Sequence, residues 1–300
     1  MEVNCSESTA PIDINDKPTN TCDLKCKYSF KYKESTSTIT NNQYYLSLTY
    51  EQSFPEPVIF NANTYQVNEI RIYSPSLHTY SGIKSDAEII IIHSGSIGNL
   101  LVCIPLIKTQ SVNSSTEILN NIIINTNKYA KNTGDKTLLT QTINLNTLIP
   151  NKKYYSYNAT LPFPPCDGIY SYVVFSKDDG AFSTINKNQL ITLQNLISKH
   201  NISIKKGIKF YVNKNGPGLI SNDIEKRDDI YIDCKPLSPD GDIIDETINT
   251  KLPKSNDFFQ NIDIKQKLTN MRSNGVIKIV VIILLMYIIL KLFSFIINKL

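Results

Sequence analysis

The stretch GVIKIVVIILLMYIILKLFSFIINKL, residues 275–300, sets the firmest constraint on this chain. Its apolar run from Val276 to Ile297 would span roughly 33 Å as a helix at ~1.5 Å per residue, enough to cross the hydrocarbon core of a bilayer. Lys278 and Lys291 interrupt the run and leave Ile279 to Leu290 uncharged. Both lysines are close enough to an interface to snorkel. A helix that is apolar all round is poorly suited to the surface of a soluble domain. Residues 275–298 are therefore expected to form one transmembrane helix, with the rest of the fold outside the membrane.

At the other end, MEVNCSESTAPIDIND has no basic start and no apolar core, so it does not read as a secretory signal. A C-terminal anchor leaves the ribosome only when synthesis ends, which implies post-translational insertion of a single-pass, tail-anchored protein from the cytosol. Arg272, Lys278, Lys291 and Lys299 put positive charge at both ends of the span and leave its orientation open. Residues 246–274 are polar without sustained periodicity and read as a stalk.

Residues 1–245 read as one domain. NQYYLSLTYE, YQVNEIRIY, AEIIIIHSG, NLLVCIPLIK, GIYSYVVFSK and KKGIKFYVN are short apolar or alternating runs separated by Gly, Pro, Ser and Asn, the pattern of strands. Helical spacing is confined to Ser115–Lys131 and to NKNQLITLQNLISKH, where Leu190, Leu193, Leu196 and Ile197 recur on one side. The expected class is mainly β (α+β), one large twisted central sheet with peripheral helices. Within YQVNEIRIY, strict alternation puts Val67, Glu69, Arg71 and Tyr73 on one face and Asn68, Ile70 and Ile72 on the other. The polar row suits the floor of a cleft or a solvated surface equally.

Charge narrows the partners. All 27 acidic residues and 27 of the 31 basic ones precede Met271, so residues 1–270 balance at 27 − 27 = 0. That excludes a strongly basic nucleic-acid binder. The balance is uneven along the chain. KHNISIKKGIKFYVNK, residues 199–214, holds five lysines and no acid, whereas residues 221–246 hold nine acids against three bases. Lys205, Lys206, Lys209 and Lys214 are the candidate contacts for a sulfated glycan or an anionic lipid surface; an ordinary solvated face has the same composition. No Gly-x-Ser-x-Gly, phosphate-cradling glycine loop or His-Glu-x-x-His is present. GPGLISND lacks the Lys-Ser/Thr of a phosphate loop and reads as a turn.

YYSYNATLPFPPCDGIYSYVVF, residues 154–175, resembles the Tyr-Arg-Tyr-x-Gly-Ser-Leu-Thr-Thr-Pro-Pro-Cys segment of α-carbonic anhydrases and the apolar strand after it. APIDI at residues 10–14, STINKNQLITLQNL and DCKPLSPDGD match further landmarks of that family, in family order. The resemblance implies a zinc enzyme whose three histidine ligands lie on two adjacent strands. Aligned on Tyr65, His78 and AEIIIIH, those positions are Arg71, Tyr73 and Ile90. Arginine has no lone pair to offer a metal and isoleucine has no donor atom, so neither zinc nor any other cofactor is expected. Pro162 and Phe163 stand where the family carries a Thr-Thr pair. Catalysis is not expected. His78, His93 and His200 are read as hydrogen-bonded structural residues, and Glu88, a carboxylate behind the metal in the family, as partner to Arg71 or His78.

The resemblance also implies a disulfide between Cys5 and Cys166. Cys22 and Cys26 are left to pair with each other, with Cys103 or with Cys234, and Cys103 reads equally as a buried thiol. Asn4, Asn113, Asn158 and Asn201 begin glycosylation sequons. A zinc-free domain of this type on a C-terminal anchor is similar to the cell-surface-binding envelope proteins of poxviruses, and IRIYSPSLH to carbonic anhydrase-like proteins of other large DNA viruses. This implies a virion membrane protein, inserted in a host intracellular membrane during assembly, that holds a host glycosaminoglycan in attachment. The alternative is a structural virion protein that binds other viral chains. A homo-oligomer fits either.

Overall fold

The computed structural model describes residues 5–220 apart from residues 6, 16, 23–24, 167 and 178–182. The acidic stretch, the expected stalk and the expected transmembrane helix, all from residue 221 onward, lie outside the described residues, as does Cys234. Among the described residues no helix is long and apolar enough to cross a membrane.

A 14-stranded mixed sheet dominates the fold. Its main path runs Lys136–Leu138, Thr38–Asn41, Leu46–Leu48, Asn63–Tyr73, Ala87–Ser94, Asn99–Thr109, Tyr170–Phe175, Tyr154–Ala159, Tyr211–Asn213 and Asn20–Thr21, and the other four strands, Tyr28–Phe30, Val58–Phe60, Ser183–Asn186 and Gly218–Leu219, pair off that path. The middle is antiparallel from Leu46–Leu48 to Asn99–Thr109, and Asn99–Thr109 then takes Tyr170–Phe175 in parallel. AEIIIIHS sits at the centre because it is apolar on both faces, as a strand covered on both sides must be.

Each face of the sheet carries its own core. Ile70, Ile72, Ile89 and Ile91 pack on one side with Leu119, Ile123, Leu190 and Leu193 of the two helices, Ser114–Tyr129 and Lys187–Leu196. Tyr73, Ile90, Cys103, Tyr157, Phe163 and Tyr172 pack on the other. The first helix begins where Asn113 caps it. The Asn113 side chain accepts from the Thr116 amide and the Thr116 hydroxyl accepts from the Asn113 amide, so two otherwise orphaned donors are satisfied. The Asn113 side-chain Nδ2 also donates to Thr184 Oγ1, so this sequon is tied into the fold.

Three expectations need correction. Val67 does not share a face with Glu69, Arg71 and Tyr73. Ile92 pairs with Glu69 but the next residue, His93, pairs with Val67, so Asn68 is the extra residue of a β-bulge. The bulge turns Val67 and Tyr65 into the helix-side core and leaves Glu69, Arg71 and Tyr73 on the other face. NQYYLSLTYE contributes only Leu46–Leu48, because Gln43 takes a left-handed φ of 66° in the preceding turn. KKGIKFYVN pairs with the sheet only through Tyr211–Asn213. Upstream, Gly207 at φ 80° breaks the strand, and Lys205 bridges Ile12 instead, its amide donating to the Pro11 carbonyl.

Two disulfides pin the periphery. Cys5 joins Cys166 across 161 positions and Cys22 joins Cys26 across four. Cys103 is a buried free thiol in the centre of the sheet.

Candidate functional site

Ile90 lies directly opposite Arg71, and Glu88 opposite Tyr73, on the adjacent central strands. Directly paired residues project to the same face, so Arg71, Tyr73 and Ile90 form a compact triangle there. The triangle is filled. The Arg71 Nε and Nη2 donate to Glu69 Oε2 at 2.9 and 2.7 Å, and the guanidinium carbon sits 4.5 Å from the ring centre of Tyr45 and 4.3 Å from that of Phe163. A cation held between two aromatic faces gains from both ring quadrupoles while shedding water. Tyr73 extends the stack, its ring 6.4 Å from Phe163, 5.2 Å from Tyr45 and 6.1 Å from His200. Burial holds the Tyr73 phenol well above its ordinary range.

Next to the triangle is a buried polar chain. Glu88 Oε1 meets His78 Nδ1 at 2.6 Å, Glu88 Oε2 accepts from the Leu77 amide at 2.6 Å and the His78 amide at 3.3 Å, and His78 Nε2 meets the Tyr157 hydroxyl at 2.7 Å. Of the two partners proposed for Glu88, His78 is the one it takes. The ligating atoms of His78, Glu88 and Cys103 lie within 4.8 Å of one another, a grouping not visible in the sequence. Both imidazole nitrogens and both carboxylate oxygens are already engaged, and burial pushes the Cys103 thiol up, keeping it protonated. The cluster is a satisfied hydrogen-bond network.

His93 occupies the helix-side core. Its Nδ1 faces the Leu100 carbonyl at 3.3 Å and its Nε2 the Tyr32 hydroxyl at 2.9 Å. A carbonyl only accepts, so Nδ1 carries the proton, Nε2 accepts from Tyr32, and the Tyr32 oxygen accepts from Tyr28, 2.9 Å away. Burial pushes the His93 imidazole down to about 4, against weaker support from the Leu100 and Ile91 backbone. The unfolded chain takes up a proton near pH ~6.5 that the folded chain refuses until about pH 4, so this contribution is complete above ~6.5 and is lost as pH falls. The expected loss between those limits is about 3 kcal/mol. Denaturant unfolding across this range checks it, and His93→Gln should flatten the slope.

The four candidate lysines do not form one strand face. Lys205 is half-buried and Lys206, Lys209 and Lys214 are exposed. Lys205 and Lys206 line a recess of about 330 Å³ that also contains Asp13, whose Oδ1 is occupied by the Thr79 hydroxyl and the Gly82 amide. Lys209 and Lys214 flank Tyr211–Asn213. None of the four is ion-paired among the described residues; the ion pairs there are Arg71–Glu69 and Lys108–Asp86, beside the His78–Glu88 hydrogen bond. Lys84 is a further basic residue that local sequence did not single out. Burial lowers its pKa, Glu88 opposes this, and Lys199 adds to the lowering. Lys84 and Lys199 are neighbours in space and remote in sequence, so no local pattern could have joined them.

A twisted sheet with a core on each face and three converging positions at its centre defines a carbonic anhydrase-type domain. The eukaryotic-type carbonic anhydrase family profile matches residues 3–212, and the chain belongs to that family. It is similar to alpha carbonic anhydrase 2 of Arabidopsis thaliana, 25% identical over 175 residues (57% of this chain, 69% of the relative), and to dioscorin DB3L of Dioscorea polystachya, 22% identical over 197 residues (63% and 70%). Among solved structures it resembles the α-carbonic anhydrase of Thermovibrio ammonificans with sulfanilamide at a TM-score of 0.60 and 19% identity, covering 69% of this chain and 87% of that one. Dioscorin complexed with ascorbate matches at 0.59 and 16%, covering 70% and 87%. These structural likenesses establish the fold.

The family implies zinc, and the triangle does not fit it. Arg71 brings a fixed positive charge instead of a lone pair, Ile90 brings no donor, and Tyr73 alone cannot make a tripod. The Arg71 guanidinium is packed between Tyr45 and Phe163 at this point of the triangle.

Proposed function

We propose that the protein is a catalytically inactive, zinc-free, membrane-anchored member of the carbonic anhydrase family that binds a host surface polyanion, with sulfated glycosaminoglycan as the candidate, in virion attachment. The observation that carries the binding reading over catalysis is the Arg71 guanidinium stacked between Tyr45 and Phe163, where the family implies a metal. The ligand class is supported by Lys205, Lys206, Lys209 and Lys214, which are free of ion pairs among the described residues. The virion setting rests on the resemblance drawn from sequence, and the apolar run at residues 276–297 supports the anchor.

Such a site works by charge. Ammonium groups displace counterions from the polyanion, so affinity falls as salt rises. The full chain in detergent should bind heparin saturably, and Lys205→Ala, Lys206→Ala, Lys209→Ala and Lys214→Ala together should lower the slope of log affinity against log salt by about 3, at ~0.7 per contact on a flexible polyanion. A slope unchanged by the four substitutions, or no heparin binding at low salt, would sink this reading and leave the structural virion role in its place.

A further inference from the structure

A cleft of about 610 Å³ lies where strand Tyr154–Ala159 meets its neighbours Tyr170–Phe175 and Tyr211–Asn213. Tyr155, Tyr157 and Ala159 face the core that contains Tyr73 and Phe163, so Ser156 and Asn158, which alternate with them and line the cleft, face the other way. The cleft therefore takes its Ser156 and Asn158 side chains from the sheet face opposite the Arg71 stack, although Tyr157 also contributes to its lining. It is also distinct from the recess that holds Lys205 and Lys206.

Its lining is mostly neutral and rich in hydrogen-bonding groups. Asn20, Asn61 and Asn158 bring amides, and Lys25 is the single charged side chain among the described lining residues. Asn158 Oδ1 accepts from Ser171 Oγ at 3.1 Å, which fixes the amide and leaves its nitrogen as a donor to the cleft. Tyr211 is paired directly with Asn20 across the parallel edge strands and is 38% exposed. An exposed ring beside an amide, with a second amide fixed in the same lining, matches the chemistry of a pyranose. The ring covers the sugar's C–H face, and each amide offers one donor and one acceptor to neighbouring hydroxyls. The volume falls within the range of small-molecule sites and accommodates more than one sugar ring. With one cation and no carboxylate among the described lining residues, the lining does not have the charge density of a polyanion site.

We propose that this cleft binds an uncharged oligosaccharide, independently of any polyanion held by the lysines. The test uses the full chain in a phosphocholine detergent, since sugar-headed detergents would compete, produced without N-glycans because Asn158-Ala159-Thr160 is itself an acceptor sequon. An array of uncharged glycans identifies the probe, and saturation-transfer NMR measures it. The expected result is saturable binding insensitive to salt, weakened about tenfold by Tyr211→Ala, the size of one lost ring contact, and also weakened by Asn158→Ala. Lys205→Ala with Lys206→Ala should leave it unchanged, so loss of heparin binding and loss of sugar binding report on different surfaces. No signal above array background, or binding that survives both Tyr211→Ala and Asn158→Ala in folded protein, overturns the proposal.

Discussion

The variant Arg71→His, Tyr73→His, Ile90→His is expected to bind zinc stoichiometrically where the parent chain, purified in the same way, carries none. Position 71 faces position 90 directly across two strands, which puts their Cβ atoms ~4.5–5.5 Å apart, and position 73 is two residues along on the same face. Three imidazoles from this triangle converge on one point at the ~2.0–2.1 Å that zinc prefers. Removing Arg71 also vacates the space between Tyr45 and Phe163; Glu69, 25% exposed, keeps the Ser47 hydroxyl on Oε1 and can rehydrate Oε2. Metal analysis of the folded variant, and the visible spectrum of its cobalt form, check the result. A well-folded variant that takes up neither metal would show that these positions are not the family's ligand positions, and would remove the main argument for lost catalysis.

Glu88→Ala is expected to cost the fold about 3–5 kcal/mol, the scale for removing one partner of a buried polar pair. Glu88 is fully buried and accepts from two backbone amides and from His78, so its loss leaves three donors without a partner in a dry interior. Glu88→Gln should recover much of this. The Gln carbonyl oxygen can still accept from the Leu77 amide, while its amide donates to His78 Nδ1. The His78 proton then moves to Nε2 and is donated to Tyr157, an alternative tautomer with every bond retained. Chemical unfolding of the two variants separates the cases, and equal losses would mean that the carboxylate charge matters more than the hydrogen bonds.

What could be read from the chain follows from how local each signal is. AEIIIIHS and NLLVCIPLIK are continuous apolar runs, and both are strands in the centre of the sheet. The Leu190, Leu193 and Leu196 spacing marks a helix face that does pack into the core. The face of Val67 was misread because alternation assumes an unbroken pleat, and a one-residue bulge at Asn68 leaves no mark on polarity. The Arg71 stack was out of reach for a different reason. Glu69 is two residues from Arg71 on the same strand and its place is legible from alternation, but Tyr45 and Phe163 come from loops whose meeting at Arg71 is a property of the sheet order. Sequence proximity groups the lysines, and Gly207 divides that group in space.

The Cys5–Cys166 bond also has a mechanical meaning. Tension along the covalent chain passes from residue 5 to residue 166 through sulfur, so the 160 residues between them lie off that path and add no length when the domain is stretched. What yields first must lie after Cys166, and there the sheet is held at its margin by short pairings: Tyr211–Asn213 on its neighbours and Gly218–Leu219 on Tyr28–Phe30. A pull on the chain beyond residue 220 would peel this margin while the closed ring, with the central strands Asn63–Tyr73, Ala87–Ser94 and Asn99–Thr109 inside it, keeps its shape.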